Sequence, residues 1–325
     1  MRLTSARAIL VSLACAASPT FGQPTPTPTT AAAPTKAKAP AVYDEAADAK
    51  AQIDAALARA AKENRRVLIQ WGANWCGWCV RLHALTSTDR DVKRTLQYEY
   101  DLVHVDVGRF DKHMDLAAKY GADLKGHGIP FLTILDGAGT PLANQETEAF
   151  ELKPDQIKGE IAHDGAKVNA FLKQHQAAPR EARAVLDEAL AEAKKSGKRV
   201  FLHFGAPWCV WCHRLEAWMA RPDVAAILAR EFVDCKVDQD RTTGGKEMLA
   251  KYNPKPGGIP WFVFLSPDGS VLADSNDPDR GNVGFPAADH EIAHFERMLR
   301  GSTTSLTDAE IAALITSLKP DPASK

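Results

Sequence analysis

Two stretches of this chain nearly superimpose. RRVLIQWGANWCGWCVRL (65–82) lies over KRVFLHFGAPWCVWCHRL (198–215), with Cys209 falling on Cys76 and Cys212 on Cys79. The likeness continues downstream. DVKRTL matches DVAAIL, LVHVDV matches FVDCKVD, LAAKYG matches MLAKYN, and GIPFLTILDGAG matches GIPWFVFLSPDG. Self-similarity over this distance means a duplicated domain, and a chain of 325 residues has room for two domains of ordinary size. The join falls near Pro179.

One copy reads as follows. An Ala-rich amphipathic helix comes first. The almost wholly apolar run VLIQW (VFLHF in the second copy) has the character of a central strand covered on both faces. A Gly-Ala turn and the cysteine pair follow, then a helix. Val103, Val105 and Val107 alternate with polar residues, as do Val233, Cys235 and Val237, each set marking one buried face of a strand. After a further helix and Gly-Ile-Pro come an apolar strand and a hairpin turn. Strand-helix-strand-helix-strand-strand is an α/β sandwich. The second copy ends in two more helical patterns, the last opened by a capping signal at Thr307 and Glu310.

The N-terminus is unlike the rest. Arg2 and Arg7 precede an apolar run from Ala8 to Ala17, and small and turn residues follow. This is the layout of a secretory signal peptide, and the run is too short to span a bilayer comfortably. Residues 1–22 are therefore expected to be a signal peptide and 23–42, rich in Pro, Thr and Ala, an extended tether. The two domains are expected at 43–178 and 179–320, the second with a C-terminal helical extension. The implied location is the periplasm or the outside of the cell, with no membrane span in the mature chain. Charge is balanced, with 40 Lys and Arg against 41 Asp and Glu, so nothing calls for nucleic acid as a partner.

Removal of Cys15 with the signal would leave two CxxC pairs and Cys235. Pairs this close make poor staples, because the loop they close restrains the unfolded chain little. Each pair sits where a buried strand gives way to a helix. The first cysteine then faces free backbone N–H groups and the positive helix end, which lowers a thiol pKa from roughly 8.5 toward neutrality. A thiolate is the attacking species in disulfide exchange. The second cysteine, one turn on, is placed to attack the resulting mixed disulfide. Cys76 and Cys209 are thus candidate nucleophiles, and Cys79 and Cys212 candidate resolvers. Cys235, set among valines with no near partner, reads as a buried, inert thiol.

With Trp before the pair and Gly-Ile-Pro downstream, both copies resemble thioredoxin domains over most of residues 45–175 and 181–300. The resemblance implies two tandem thioredoxin folds, each a central mixed sheet with helices on both faces. It also implies cis peptide bonds at Ile129-Pro130 and Ile259-Pro260, beside the cysteines, where a substrate strand can pair with exposed backbone. Ile129, Pro130, Ile259 and Pro260 are then substrate-binding candidates, together with Trp75, Trp78, Trp208 and Trp211. Trp75 and Trp208 are expected to shield the disulfides, with Trp78 and Trp211 exposed between the cysteines.

The departures are as informative. Thioredoxin usually has Gly-Pro between its cysteines, whereas these pairs enclose Gly77-Trp78 and Val210-Trp211. The family's buried Asp, six residues before the first cysteine, is replaced by Gln70 and His203. Gln cannot titrate, whereas neutral His accepts a proton near physiological pH. On this reading His203 serves Cys212 as a base and the first domain relies on water. His213, when protonated, would stabilise the Cys209 thiolate. His104, His127 and His163 show no usable spacing.

The reading that follows is an exported thiol–disulfide oxidoreductase, a reductase or isomerase with two CxxC centres and no cofactor. Its partners would be exported proteins with cysteines or disulfides, and a thiol redox partner. Two alternatives stand beside it. CxxC thiolates could carry Cu(I) or zinc, although each pair offers only two ligands. The folds could also bind partners without catalysis.

Overall fold

The structure, a computed structural model, describes residues 41–255 and 257–319. The expected signal peptide, Cys15 and nearly all of the expected tether lie outside the described residues.

The first half runs α1 (Ala49–Glu63), β1 (Arg66–Gly72), α2 (Gly77–Thr88), α3 (Arg90–Glu99), β2 (Tyr100–Asp106), α4 (Met114–Lys119), α5 (Leu124–His127), β3 (Phe131–Leu135), β4 (Pro141–Glu146) and α6 (Gly165–His175). Its sheet has the order β2-β1-β3-β4, with β1 parallel to β2 and antiparallel to β3. The second half repeats this plan. Helix α7 (Ala182–Ser196), β5 (Arg199–Gly205), α8 (Val210–Met219), α9 (Pro222–Glu231), β6 (Phe232–Asp238), α10 (Gly245–Tyr252), β7 (Trp261–Leu265) and β8 (Val271–Asp274) follow in turn. Its sheet order is β6-β5-β7-β8. A two-residue ribbon, β9 (Asn276–Asp277) with β10 (Gly281–Asn282), leads to α11 (Asp289–Ser302) and α12 (Asp308–Leu318). The two halves thus share one α/β plan, each with a four-stranded mixed sheet flanked by helices.

Residues on β1 part by pleat. Val67, Ile69 and Trp71 face α1, where they pack on Ile53, Ala56 and Ala60, while Leu68 faces α2, α3 and α6. Helix α1 starts on Asp48, whose carboxylate accepts the Ala51 N–H, and ends on Asn64 at φ 52°, a left-handed position that Asn tolerates. The same division holds on β5, with Val200, Leu202 and Phe204 toward α7 and Phe201 toward α8, α9, α11 and α12. Val103, Val105 and Val107 are buried as one set; in the second half Cys235 and Val237 are buried and Val233 half-buried. Gln70 and His203 take the face turned to the cysteine-bearing helices.

The halves meet along the C-terminal end of α1 and the loop after β6. The Arg241 guanidinium donates to the carbonyls of Glu63 (2.9 Å) and Asn64 (2.8 Å) and pairs with Glu99 (3.0 Å). Gln97 Nε2 donates to the Pro207 carbonyl at 2.9 Å, two residues before Cys209. Among the described residues, no helix is long and apolar enough to cross a membrane.

Candidate functional site

Each cysteine pair stands at the same junction. Cys76 is the N-cap of α2 and Cys209 the N-cap of α8, and both pairs are closed as disulfides. The strand before each pair is buried almost throughout, and the Gly-Ala step at its end brings the chain up to the helix start. The Cys79 N–H donates to Cys76 Sγ at 3.1 Å, and the Cys212 N–H to Cys209 Sγ at 3.1 Å. In the reduced protein the same helix-end N–H is placed to stabilise a thiolate on the first sulfur of each pair. Cys76 and Cys209 retain a little surface, 6 % and 4 %, while Cys79 and Cys212 lie beneath at 0 % and 2 %. Attack from outside reaches the first sulfur only.

Ile129-Pro130 and Ile259-Pro260 are both cis. Each Ile carbonyl oxygen lies against the first sulfur, 3.6 Å from Cys76 Sγ and 3.4 Å from Cys209 Sγ. The prolines are buried and the isoleucines half-buried. Side chains further along each half hold these loops: Thr147 Oγ1, just past β4, donates to the Pro130 carbonyl at 2.9 Å, and Asn282 Nδ2, on β10, to the Gly258 and Pro260 carbonyls at 2.7 and 3.0 Å.

The tryptophans differ from expectation in two respects. Trp75 and Trp208, expected as shields, are about half exposed, because their indole N–H groups are tied outward to the Gly108 carbonyl and to Asp240 Oδ2, each at 2.7 Å. Trp211 is exposed under the Arg214 guanidinium, 4.4 Å from its ring centre. Trp78, expected to be exposed, is half-buried and packs edge-on against buried His163. Burial pushes the His163 imidazole down to about 4, so it is neutral at physiological pH.

Beneath the resolving cysteines the two sites diverge. In the first, Gln70 Nε2 donates to Tyr43 Oη at 2.7 Å and approaches the Cys79 carbonyl at 3.5 Å. The place where a Gly72 Cβ would lie is 2.2 Å from Tyr43 Oη and 3.0 Å from Cys79 Sγ, so the phenol fills a notch beside the sulfur. Val42, read as the end of the tether, packs here with Tyr43. The first site therefore has a tyrosine hydroxyl at its resolving sulfur where the sequence suggested water. Burial raises the Tyr43 phenol well above its usual range, lowers His83, and lowers His104 to about 4. The His83 and His104 rings lie edge to face, 5.2 Å apart, and Tyr43 packs on His104. Tyr43, Gln70, His83 and His104 are thus uncharged at physiological pH, and Asp106 is the carboxylate whose charge also raises the Tyr43 phenol.

In the second site, His203 Nε2 is bonded to Asp234 Oδ1 at 2.9 Å, and Lys62 Nζ holds the other oxygen at 2.9 Å. Burial alone would raise the Asp234 carboxyl; His203 and Lys62 outweigh it and hold it well below the carboxylate range. The side-chain partner of His203 is thus Asp234 and not Cys212. His213 turns away from Cys209, toward the Pro207 carbonyl at 2.9 Å and Glu216 at 3.9 Å. The group beside Cys212 is Glu216, one turn further along α8. The place of a Gly205 Cβ is 3.5 Å from Cys212 Sγ and 3.6 Å from Glu216 Oε1. Glu216 is paired with Lys236 at 2.8 Å.

Sequence reasoning passed over Tyr43, Glu216 and Lys236. Glu216 follows Cys212 by four residues, a spacing that stacks side chains on one helix face. Lys236 sits directly across from His203 in the β5–β6 register, which only the fold discloses. Cys235 is free and buried, and burial pushes its thiol up to about 12. Among the described residues, no group of three or more His, Cys, Asp and Glu side chains stands close enough to share a metal ion.

Comparison with known proteins gives two family matches. A family described as thioredoxin-like matches residues 48–137, and a DsbH-type thioredoxin family, described as a protein of unknown function, matches residues 165–318. The chain is 30 % identical over 168 residues to an uncharacterised protein of Caenorhabditis elegans, covering 49 % of this chain and 22 % of that one. It is 24 % identical over 192 residues to the protein disulfide-isomerase tigA of Aspergillus niger, covering 56 % and 47 %. Among solved structures, a disulphide isomerase from Xylella fastidiosa is 27 % identical, with 41 % of this chain and 95 % of that chain covered and a TM-score of 0.34. The chain spans less than half the length of both curated relatives.

Proposed function

Because the chain is built from thioredoxin-like domains, we propose that it is a thiol–disulfide oxidoreductase, a reductase or isomerase of disulfides in other exported proteins. The observation that carries the reading is the repeated stacking of a slightly exposed first sulfur on a helix N-terminus above a buried second sulfur, closed as a disulfide at both sites. The name of the Aspergillus relative is in keeping with this chemistry. Export rests on the N-terminal segment, with its two arginines and short apolar run.

In the reduced protein, the Cys76 or Cys209 thiolate attacks one sulfur of a substrate disulfide. The substrate S–S bond breaks, a mixed disulfide forms, and the other substrate sulfur leaves as a thiolate that takes up a proton. The second cysteine then loses its proton and attacks the first. This closes the CxxC disulfide and releases the second substrate thiolate. Two electrons pass to the substrate, and a thiol partner returns them to the CxxC. The half-exposed tryptophans and the Ile carbonyls beside the first sulfur frame the place where a substrate strand would lie.

Insulin reduction in the presence of dithiothreitol tests this. Cys76→Ala and Cys209→Ala should each remove one centre's share of turnover, and the double variant should fall to the rate of dithiothreitol alone. Turnover that survives loss of both first cysteines would end the oxidoreductase reading.

A further inference from the structure

The floors of the two sites occupy equivalent positions and carry different charge. Gln70 opposes His104 across the β1–β2 pair, and His203 opposes Lys236 across β5–β6. His83 and Glu216 each stand four residues after the resolving cysteine. The first floor is Gln, Tyr and two neutral histidines, all from its own domain. The second floor is His203, Glu216, Lys236 and Asp234, and this set is completed from the other domain. Lys62 reaches Asp234 at 2.9 Å, and Glu63 Oε1 stands 3.8 Å from Lys236 Nζ. Both residues belong to the last turn of α1, which Arg241 clamps against the second domain through the Glu63 and Asn64 carbonyls. A cleft between the halves, lined by Lys62, Glu63, Pro207, His213, Lys236 and Arg241, opens this network to water.

We propose that the first domain tunes the second site. Lys62 and Glu63 are positioning residues for the charged floor beneath Cys212, and through Asp234–His203 and Lys236–Glu216 they set the pH at which Cys212 gives up its proton. The inference rests on the oxidoreductase reading above. The charged and titratable groups around this floor are His203 from β5, Asp234, Lys236 and Asp238 from β6, His213 and Glu216 from α8, Lys62 and Glu63 from α1, and Arg65 and Arg241 from adjoining loops. Charge balance gives the sign. Removing Lys62 leaves the floor more negative and disfavours the Cys212 thiolate. Removing the Glu63 charge leaves it more positive and favours that thiolate. A purely structural role for the two residues would not give opposite signs.

The step to measure is resolution of a glutathione mixed disulfide on Cys209. The Cys212 thiol loses its proton, its sulfur bonds to Cys209, the Cys209–glutathione bond breaks, and glutathione leaves as a thiolate and is protonated. The experiment uses the full chain with Cys76→Ser and Cys79→Ser, so that only the second site reacts, and follows glutathione release against pH. K62M should move the rate profile up by about half a pH unit, and E63Q should move it down by a similar amount. K62R, which keeps the charge, should match the parent. With Cys209→Ser and Cys212→Ser instead, neither K62M nor E63Q should shift the profile at Cys76. A parent chain that resolves, with midpoints that stay in place or move in the same direction, overturns this inference alone. A parent chain that fails to resolve the mixed disulfide overturns the oxidoreductase reading and this inference with it.

Discussion

At the scale of single residues, a glycine on the central strand decides what stands beside each resolving sulfur. The missing Cβ at Gly72 leaves a notch that the Tyr43 hydroxyl enters, and the one at Gly205 lets Cys212 Sγ and Glu216 Oε1 border the same space. Tyr43 is fully buried and accepts from Gln70, so its hydroxyl is part of a satisfied pair. Tyr43→Phe strands the Gln70 N–H in the core and should cost about 1–3 kcal/mol in chemical denaturation, with exchange at Cys209 unchanged. An unaltered denaturation midpoint would show that the pair contributes nothing. The two prolines, far downstream, were placed beside the cysteines only by the resemblance to thioredoxin domains, whereas the four paired cysteines could be read from the sequence because each CxxC is short and local. Tyr43 could not, because its partner Gln70 is distant in sequence and no periodicity links them. For His203 the sequence located the strand face, while its partner Asp234 lies on another strand.

At the scale of elements, each strand-to-helix junction turns a sulfur into a helix cap, and the sequence showed this directly as an apolar run, a Gly-Ala turn and a cysteine. The C-terminal helix was as plain. Thr307 and Glu310 form a capping box: Thr307 Oγ1 accepts the Glu310 N–H, and Glu310 Oε2 accepts the Thr307 N–H at 2.9 Å. Ile311, Leu314 and Leu318 then complete the core shared by α9, α11 and β7. Thr307→Ala should lower the stability of the second domain by about 1 kcal/mol, measured by thermal unfolding. A loss too small to resolve would mean that packing alone sets the helix start. The short helix α5, the β9–β10 ribbon and the outward turn of Trp75 and Trp208 were not evident from the sequence. They depend on side chain–backbone bonds such as Trp75 to Gly108, which leave no local pattern.

At the scale of the whole molecule, duplication has produced two centres with one geometry and two electrostatic settings. Repeat alignment disclosed the two copies and the unequal pairs Gln70/His203 and Val80/His213. It could not disclose that the end of α1 lies against β6, since nothing in either copy records how the copies meet. The junction is polar and specific, built on Arg241, Glu99, Lys62 and Asp234. Both sites nonetheless keep the same nucleophile-over-resolver stacking, and that makes the reading of function open to direct trial. Full-length protein carrying Cys79→Ala and Cys212→Ala is reduced, mixed with insulin, and digested for mass spectrometry under non-reducing conditions. We predict stable mixed disulfides mapped to Cys76 and to Cys209. Absence of any adduct at these two residues, or adducts confined to Cys235, would contradict a thiol–disulfide exchange role for the paired cysteines.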